Sequence, residues 1–183
     1  MSKILTEKQI KLYHDNGFVS PIRVMSETEA LSIKAQIEKA EKEFPYEFNP
    51  ENRNNLHLSF TFLDALAHNS IVLDAVEDLI GRDISLWGSV MFSKDPSSKH
   101  YVSWHQDATY MGMNSTNFPT PWIALSPSNL ETGCMTMISG SHKQEILIHE
   151  DTFEEHNILT RGQVIPEVDE SKGVDLILEP GEM

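Results

Sequence analysis

Apolar positions in the first 81 residues recur at helical intervals. Thr6-x-x-Gln9 is a capping box that opens a short helix, with Ile10, Leu12 and Tyr13 on its apolar side and Gly17 placed to close it in a left-handed conformation. Phe18-Val19 then begins a strand. A second capping box, Ser26-x-x-Glu29, precedes Ala30, Ile33, Ile37, Ala40 and Phe44, spaced by threes and fours until Pro45 ends the run. That pattern predicts an amphipathic helix covering a sheet. A third helical stretch is predicted over about 62–80, where Leu63, Leu66, Val72, Leu73, Val76 and Leu79 carry the spacing and Gly81 terminates it.

Beyond Gly81 the period shifts to short apolar runs between turn residues. Residues 84–92 predict a long strand, and 122–125, 134–138, 145–148 and 174–178 predict further ones, separated by Pro119, Pro121, Pro127, Gly133, Gly140 and Pro180-Gly181. Helices first and many short strands afterwards predict an α+β fold with a β-barrel or sandwich core. At 183 residues the chain is read as one domain, its helical part about 1–81 and its β part about 82–183.

Charge narrows the partners. A formal net charge of −14 repels phosphate backbones and anionic lipid, so neither nucleic acid nor a membrane is an expected partner, whereas a small-molecule substrate is. Cys134 is the only cysteine, which excludes an intrachain disulfide and points to a reducing compartment; it reads as a small buried apolar residue. No run of 18 apolar residues and no apolar N-terminal segment is present, so the expected location is the cytoplasm. Oligomeric state is left open by the sequence.

The candidate chemistry lies at Trp104-His105-Gln106-Asp107. In extended backbone, His105 and Asp107 project from one face, and an imidazole plus a carboxylate make two thirds of the 2-His-1-carboxylate triad that holds non-haem Fe(II). By the same alternation Gln106 points away. A second such pair, His149-Glu150-Asp151, opens an acidic run through His156 and reads as a solvated loop or surface helix.

Several segments, taken together and in order, resemble the phytanoyl-CoA dioxygenase family of Fe(II)- and 2-oxoglutarate-dependent oxygenases. These are Leu5-Thr6-Glu7-Lys8-Gln9 through Asp15-Asn16-Gly17-Phe18-Val19, His105-Gln106-Asp107, Trp122-Ile123-Ala124-Leu125, and Glu131-Thr132-Gly133-Cys134-Met135 through Ile138-Ser139-Gly140-Ser141-His142-Lys143. Ser139 stands where the family usually has proline. The resemblance implies a double-stranded β-helix, a cupin-like jelly roll with the N-terminal helices packed on one face. It also implies that His105 and Asp107 hold Fe(II) at the barrel mouth. The family's distal His and its 2-oxoglutarate-binding Arg follow a Pro-Gly segment, here Pro180-Gly181, and are therefore expected beyond Met183, leaving the barrel incomplete at the C-terminus. None of Arg23, Arg53, Arg82 and Arg161 falls in a matched motif.

With those groups supplied, the resemblance implies oxidative decarboxylation of 2-oxoglutarate to succinate and CO2, coupled to hydroxylation of a small molecule. Asp107 favours oxygenation over halogenation, since related halogenases carry a small residue there. Trp122 is read either as core packing or as a wall beside 2-oxoglutarate. Thr109 and Tyr110, on the loop after the motif, are candidate substrate contacts, as is His57. His142 is read as stabilising a turn, and Trp104 as packing. Two other readings remain at this point: a non-catalytic metal-binding or interaction protein with an incomplete barrel, and a cupin-like hydrolase or isomerase using another metal.

Overall fold

The computed structural model describes residues 2–49, 52–112 and 117–183. Both predicted capping boxes form. Helix α1 (Glu7–Asn16) opens on Thr6, with reciprocal bonds to Gln9, and closes on Gly17 at φ 87°. The imidazole of His142 fills the space where a side chain at residue 17 would stand, with Nδ1 only 2.5 Å from that position. Helix α2 (Glu27–Glu43) opens on Ser26 with Glu29 completing the box, and it ends just before Pro45.

The third helical stretch, read as one helix over about 62–80, is two: α3 (Thr61–Ala67) and α4 (Ser70–Ile80). Asn69 breaks it. Its side-chain oxygen accepts the N–H groups of Ile71 and Val72, giving α4 a start of its own within what reads as unbroken apolar spacing.

α4 also holds the chain's beginning. The Asp78 carboxylate accepts the successive N–H groups of Lys3, Ile4 and Leu5 at 2.7, 2.8 and 2.8 Å, while Lys3 Nζ pairs with Asp74 and Glu77. Leu5 is thereby set into the main core beside Ile22, Val24, Ala30, Val72 and Ala75. Burial opposes ionisation of Asp78, but the three N–H bonds prevail and hold its pKa below the usual carboxylate range. Its contribution to stability is therefore complete above that range and is lost as pH falls through the lowered folded value. Asp78→Asn is expected to cost about 1–3 kcal/mol at neutral pH, a difference that closes below about pH 4, checked by urea unfolding on both sides of that pH.

A second core lies under the other end of α2, where Ile37, Ala40, Phe48 and Leu56 are buried. Phe60 meets Phe44, Phe48 and Phe62 edge-on there, with ring centroids 5.5, 4.9 and 6.1 Å away.

The β part is sparser than the sequence pattern suggests. Among the described residues, β1 (Met135–Ile138) pairs antiparallel with β4 (Gly173–Leu176), and β2 (Glu150–Asp151) with β3 (Gln163–Val164). A short helix, α5 (Ala108–Met111), precedes them. Two strand expectations, 134–138 and 174–178, thus appear as β1 and β4. The others do not become regular strands. Residues 84–92 touch only 53–55, through Asn55 N–H to the Ser89 carbonyl and Met91 N–H to the Arg53 carbonyl, and Leu86, Trp87, Val90 and Phe92 are exposed. Residues 145–148 are exposed likewise, and the stretch after Phe18-Val19 makes a single bridge, Arg23 with Glu182. In each case an extended segment lacks a partner along its length, and a ladder needs one. Cys134, expected to be buried, is partly exposed.

One run organises the whole. Residues 173–183 border β1 first, then Ser128 through paired bonds with Leu178, then Ala124, and last residues 22–25. Gly181 donates to the Ala124 carbonyl, and its own carbonyl accepts from both Val24 and Met25. Ile22 and Met183 exchange bonds of 2.9 and 2.8 Å. Arg23 adds a bond to the Pro180 carbonyl and an ion pair with Glu182. This run carries the segment 122–125, which is not a regular strand, against the helical layer.

Candidate metal centre

Residues 101–107 are tied to the hairpin of β2 and β3 before the motif itself begins. Ile158 N–H donates to the Tyr101 carbonyl, Ile165 N–H to the Trp104 carbonyl, and the Ser103 hydroxyl bonds the Gln163 carbonyl. Trp104 donates to Glu170 at 3.2 Å and packs near Gly173.

The pair is not presented by extended backbone, as its spacing suggested. Asp107 has helical dihedrals, φ −55° and ψ −33°, and begins α5. The side chains converge nonetheless, with His105 Nε2 at 3.2 Å from Asp107 Oδ1. His105 Nδ1 lies 2.8 Å from the Ser103 carbonyl, a contact that requires a proton on Nδ1. In the neutral ring, Nε2 then presents a lone pair toward a carboxylate oxygen. Two acceptors face each other, and only a cation between them, a proton or a metal ion, makes the contact favourable. Two donors each about 2.1 Å from one ion and at right angles would stand about 3.0 Å apart, close to the distance seen.

Their surroundings favour the charged forms. Burial disfavours a charged His105, but its bonds to Asp107 and to the Ser103 carbonyl, with the carboxylate's charge, hold its pKa above the ordinary histidine value. The His105 contact chiefly holds Asp107 below the usual carboxylate range; burial opposes this, while the imidazole's charge and the Thr120 hydroxyl, donating to Oδ2 at 3.0 Å, add to it. Tyr110 stands edge-on to the His105 ring, with centroids 6.0 Å apart, and its hydroxyl is buried without a hydrogen-bond partner among the described residues. Burial, Asp107 and Asp151 push the phenol's pKa up, while Arg161 opposes them.

The other sequence candidates divide. Thr109 sits on α5 beside Tyr110, and Trp122 is half-buried two residues beyond Thr120. His57 lies elsewhere, on a turn of 3-10 helix (Leu56–Leu58) with its Nδ1 against the Ser89 hydroxyl, and its contacts do not reach the pair. The second motif does not form a pair: His149 Nε2 accepts the Gln106 N–H at 2.9 Å, its Nδ1 faces the Leu147 carbonyl, and Asp151 faces Arg161. Gln106 points away from the pair toward Leu147, whose N–H it accepts at 2.7 Å. His142 bonds the His14 carbonyl at 3.1 Å, holding a turn against α1.

Ser103, Thr120 and Arg161 escaped the sequence reading, since each reaches the site only through the fold. Among the described residues no third His, Cys, Asp or Glu joins His105 and Asp107 in a metal-capable cluster. The largest cavities, about 440 and 320 Å3, lie on the helical side around Met25, Glu29 and Asn69, away from the pair.

Known proteins share this arrangement of chain. The non-heme monooxygenase ThoJ, in its apo structure, is 26% identical and superposes with a TM-score of 0.79, over 95% of this chain and 65% of that one. The structure of CytC3 with Fe(II) and alpha-ketoglutarate is 19% identical with a TM-score of 0.65, over 100% of this chain and 67% of that one, which speaks to the fold alone. A phytanoyl-CoA dioxygenase domain-containing protein 1 homolog of Caenorhabditis briggsae is 28% identical over 91 residues, which are 49% of this chain and 32% of that protein. The chain thus spans about a third of the curated relative it matches and about two thirds of ThoJ. Its residues 13–183 match the sequence profile of one family throughout, and the chain belongs to the phytanoyl-CoA dioxygenase (PhyH) family.

Proposed function

We propose that this chain carries the iron-binding half-site of an Fe(II)- and 2-oxoglutarate-dependent oxygenase that hydroxylates a small molecule. The observation that carries this reading is the acceptor-to-acceptor approach of His105 Nε2 and Asp107 Oδ1 at 3.2 Å, with both side chains held from behind. Nitrogen and oxygen donors with open positions suit non-haem iron. His105 and Asp107 would hold it, and a distal imidazole and a carboxylate-binding Arg would come after the Pro180-Gly181 turn, completing a jelly roll. When bound, the iron and 2-oxoglutarate supply the oxidising chemistry, with succinate and CO2 as by-products.

The chain's own residues set the stage. The Ser103 carbonyl fixes the His105 tautomer, and Thr120 orients Asp107 so that Oδ1 faces the imidazole. Trp122 would wall the 2-oxoglutarate side. Thr109 and the unpartnered Tyr110 hydroxyl would meet substrate, and His57 would do so only from a more distant wall. The whole of 1–183 would act as one domain. A net charge of −14 argues against nucleic acid and anionic membranes as partners, and among the described residues no helix is long and apolar enough to cross a membrane; we place the protein in the cytoplasm.

Anaerobic addition of Fe(II) and then 2-oxoglutarate should produce a weak visible charge-transfer band, and admission of air should produce succinate. Metal binding with neither band nor succinate would instead favour a non-catalytic metal-binding or interaction protein, the reading supported by the missing third donor among the described residues.

A further inference from the structure

We propose that His149 is a positioning residue that sets the separation of His105 and Asp107; this rests on the metal-site reading above. Gln106 lies between the two donors, and the peptide N–H it carries belongs to the bond joining it to His105. Turning that peptide swings the imidazole relative to the carboxylate. The N–H is not left to solvent but donates to His149 Nε2 at 2.9 Å. That bond requires an unprotonated Nε2, so the ring proton is on Nδ1, where it meets the Leu147 carbonyl at 2.9 Å.

Gln106 closes the arrangement by accepting the Leu147 N–H at its Oε1, 2.7 Å away. Three bonds therefore bind residue 106, through main chain and side chain, to 147–149. On the far side, Ile165 N–H holds the Trp104 carbonyl. The donor-bearing peptides are clamped between two segments more than 40 residues away in sequence. Backbone at this point needs such a clamp, because residues 104–106 belong to no ladder or helix of their own. A histidine that would otherwise read as part of a second metal motif thus acts on the first one, as an acceptor.

The test compares His149→Phe, which removes the acceptor, with His149→Gln, whose Oε1 can replace Nε2. Two readouts are taken: Ni(II) affinity, and the imidazole 15N signals of His105 in metal-free protein. The phenylalanine variant is expected to bind Ni(II) about 10- to 100-fold more weakly, as other partners behind metal ligands do, with the His105 signals displaced; glutamine should restore both. Wild-type affinity and unmoved His105 signals in His149→Phe would overturn the proposal. If the wild type itself binds no Ni(II), the oxygenase reading falls, and the His105 signals alone decide whether His149 positions the pair. Should the phenylalanine variant fail to fold, His149→Asn, polar but too short to reach Gln106, takes its place.

Discussion

Asp107→Ala is expected to lower the affinity for Ni(II) or Fe(II), measured by anaerobic titration, by more than about a hundredfold. Partners behind a metal ligand cost about 10- to 100-fold when removed, and Asp107 is proposed as a ligand itself. The loss has two parts. One oxygen donor disappears, and His105 Nε2 no longer has opposite it the carboxylate that makes a cation welcome there. Thr120→Val keeps Oδ1 in place and removes only the hydroxyl bond to Oδ2, so it should fall about tenfold and mark the lower end of the scale. Little change in the thermal melt should accompany either variant, since neither side chain belongs to a hydrophobic core. Unaltered metal affinity in Asp107→Ala would remove the basis of the oxygenase reading.

Gly181→Ala is expected to produce the largest loss of stability. The residue has φ 86°, and a Cβ added there would stand 2.5 Å from the Met25 carbonyl oxygen and 3.1 Å from that of Ser26. Both obstacles are backbone and cannot rotate aside. Left-handed dihedrals cost an L-residue about 1–2 kcal/mol, and overpacking adds about 1–3, so a total of about 3 kcal/mol or more is expected. In a chain of this size that is a fall in Tm of about 6–12 °C. Gly112→Ala is the control. Its φ is 60° but no atom lies within 4 Å of the added Cβ, so it should lose only the conformational part. Equal melts for the two variants would mean that the Gly181 junction is not packed as described.

Features encoded within one turn of chain were legible in the sequence. Thr6 with Gln9 and Ser26 with Glu29 specify helix starts by themselves, because donor and acceptor lie three residues apart. Asn69 carries a comparable signal, yet the apolar spacing across it suggested continuity and concealed the break between α3 and α4. Strand patterns were harder to use. Alternation in 84–92 describes a segment willing to extend, but whether it pairs depends on residues far away, and here only 53–55 approach it. His105 and Asp107 were found through a short motif, although the backbone expected to present them was wrong at Asp107. Their supports could not be found that way. Thr120 is 13 residues from Asp107, and His149 is 43 from Gln106, separations at which sequence spacing carries no geometric information.

The bonds joining residues 22–25 to 180–183 also impose an order of events on biosynthesis. Arg23 emerges from the ribosome 157 residues before Pro180, its acceptor. At ordinary translation speeds of about 5–20 residues per second, that is a wait of about 8–30 s. Throughout it Ile22, Val24 and Met25 have open backbone and uncovered apolar side chains, the condition under which nascent strand edges stick to one another. Yield in a cell-free system should therefore depend on holdase chaperones more than the helical first third of the chain would suggest.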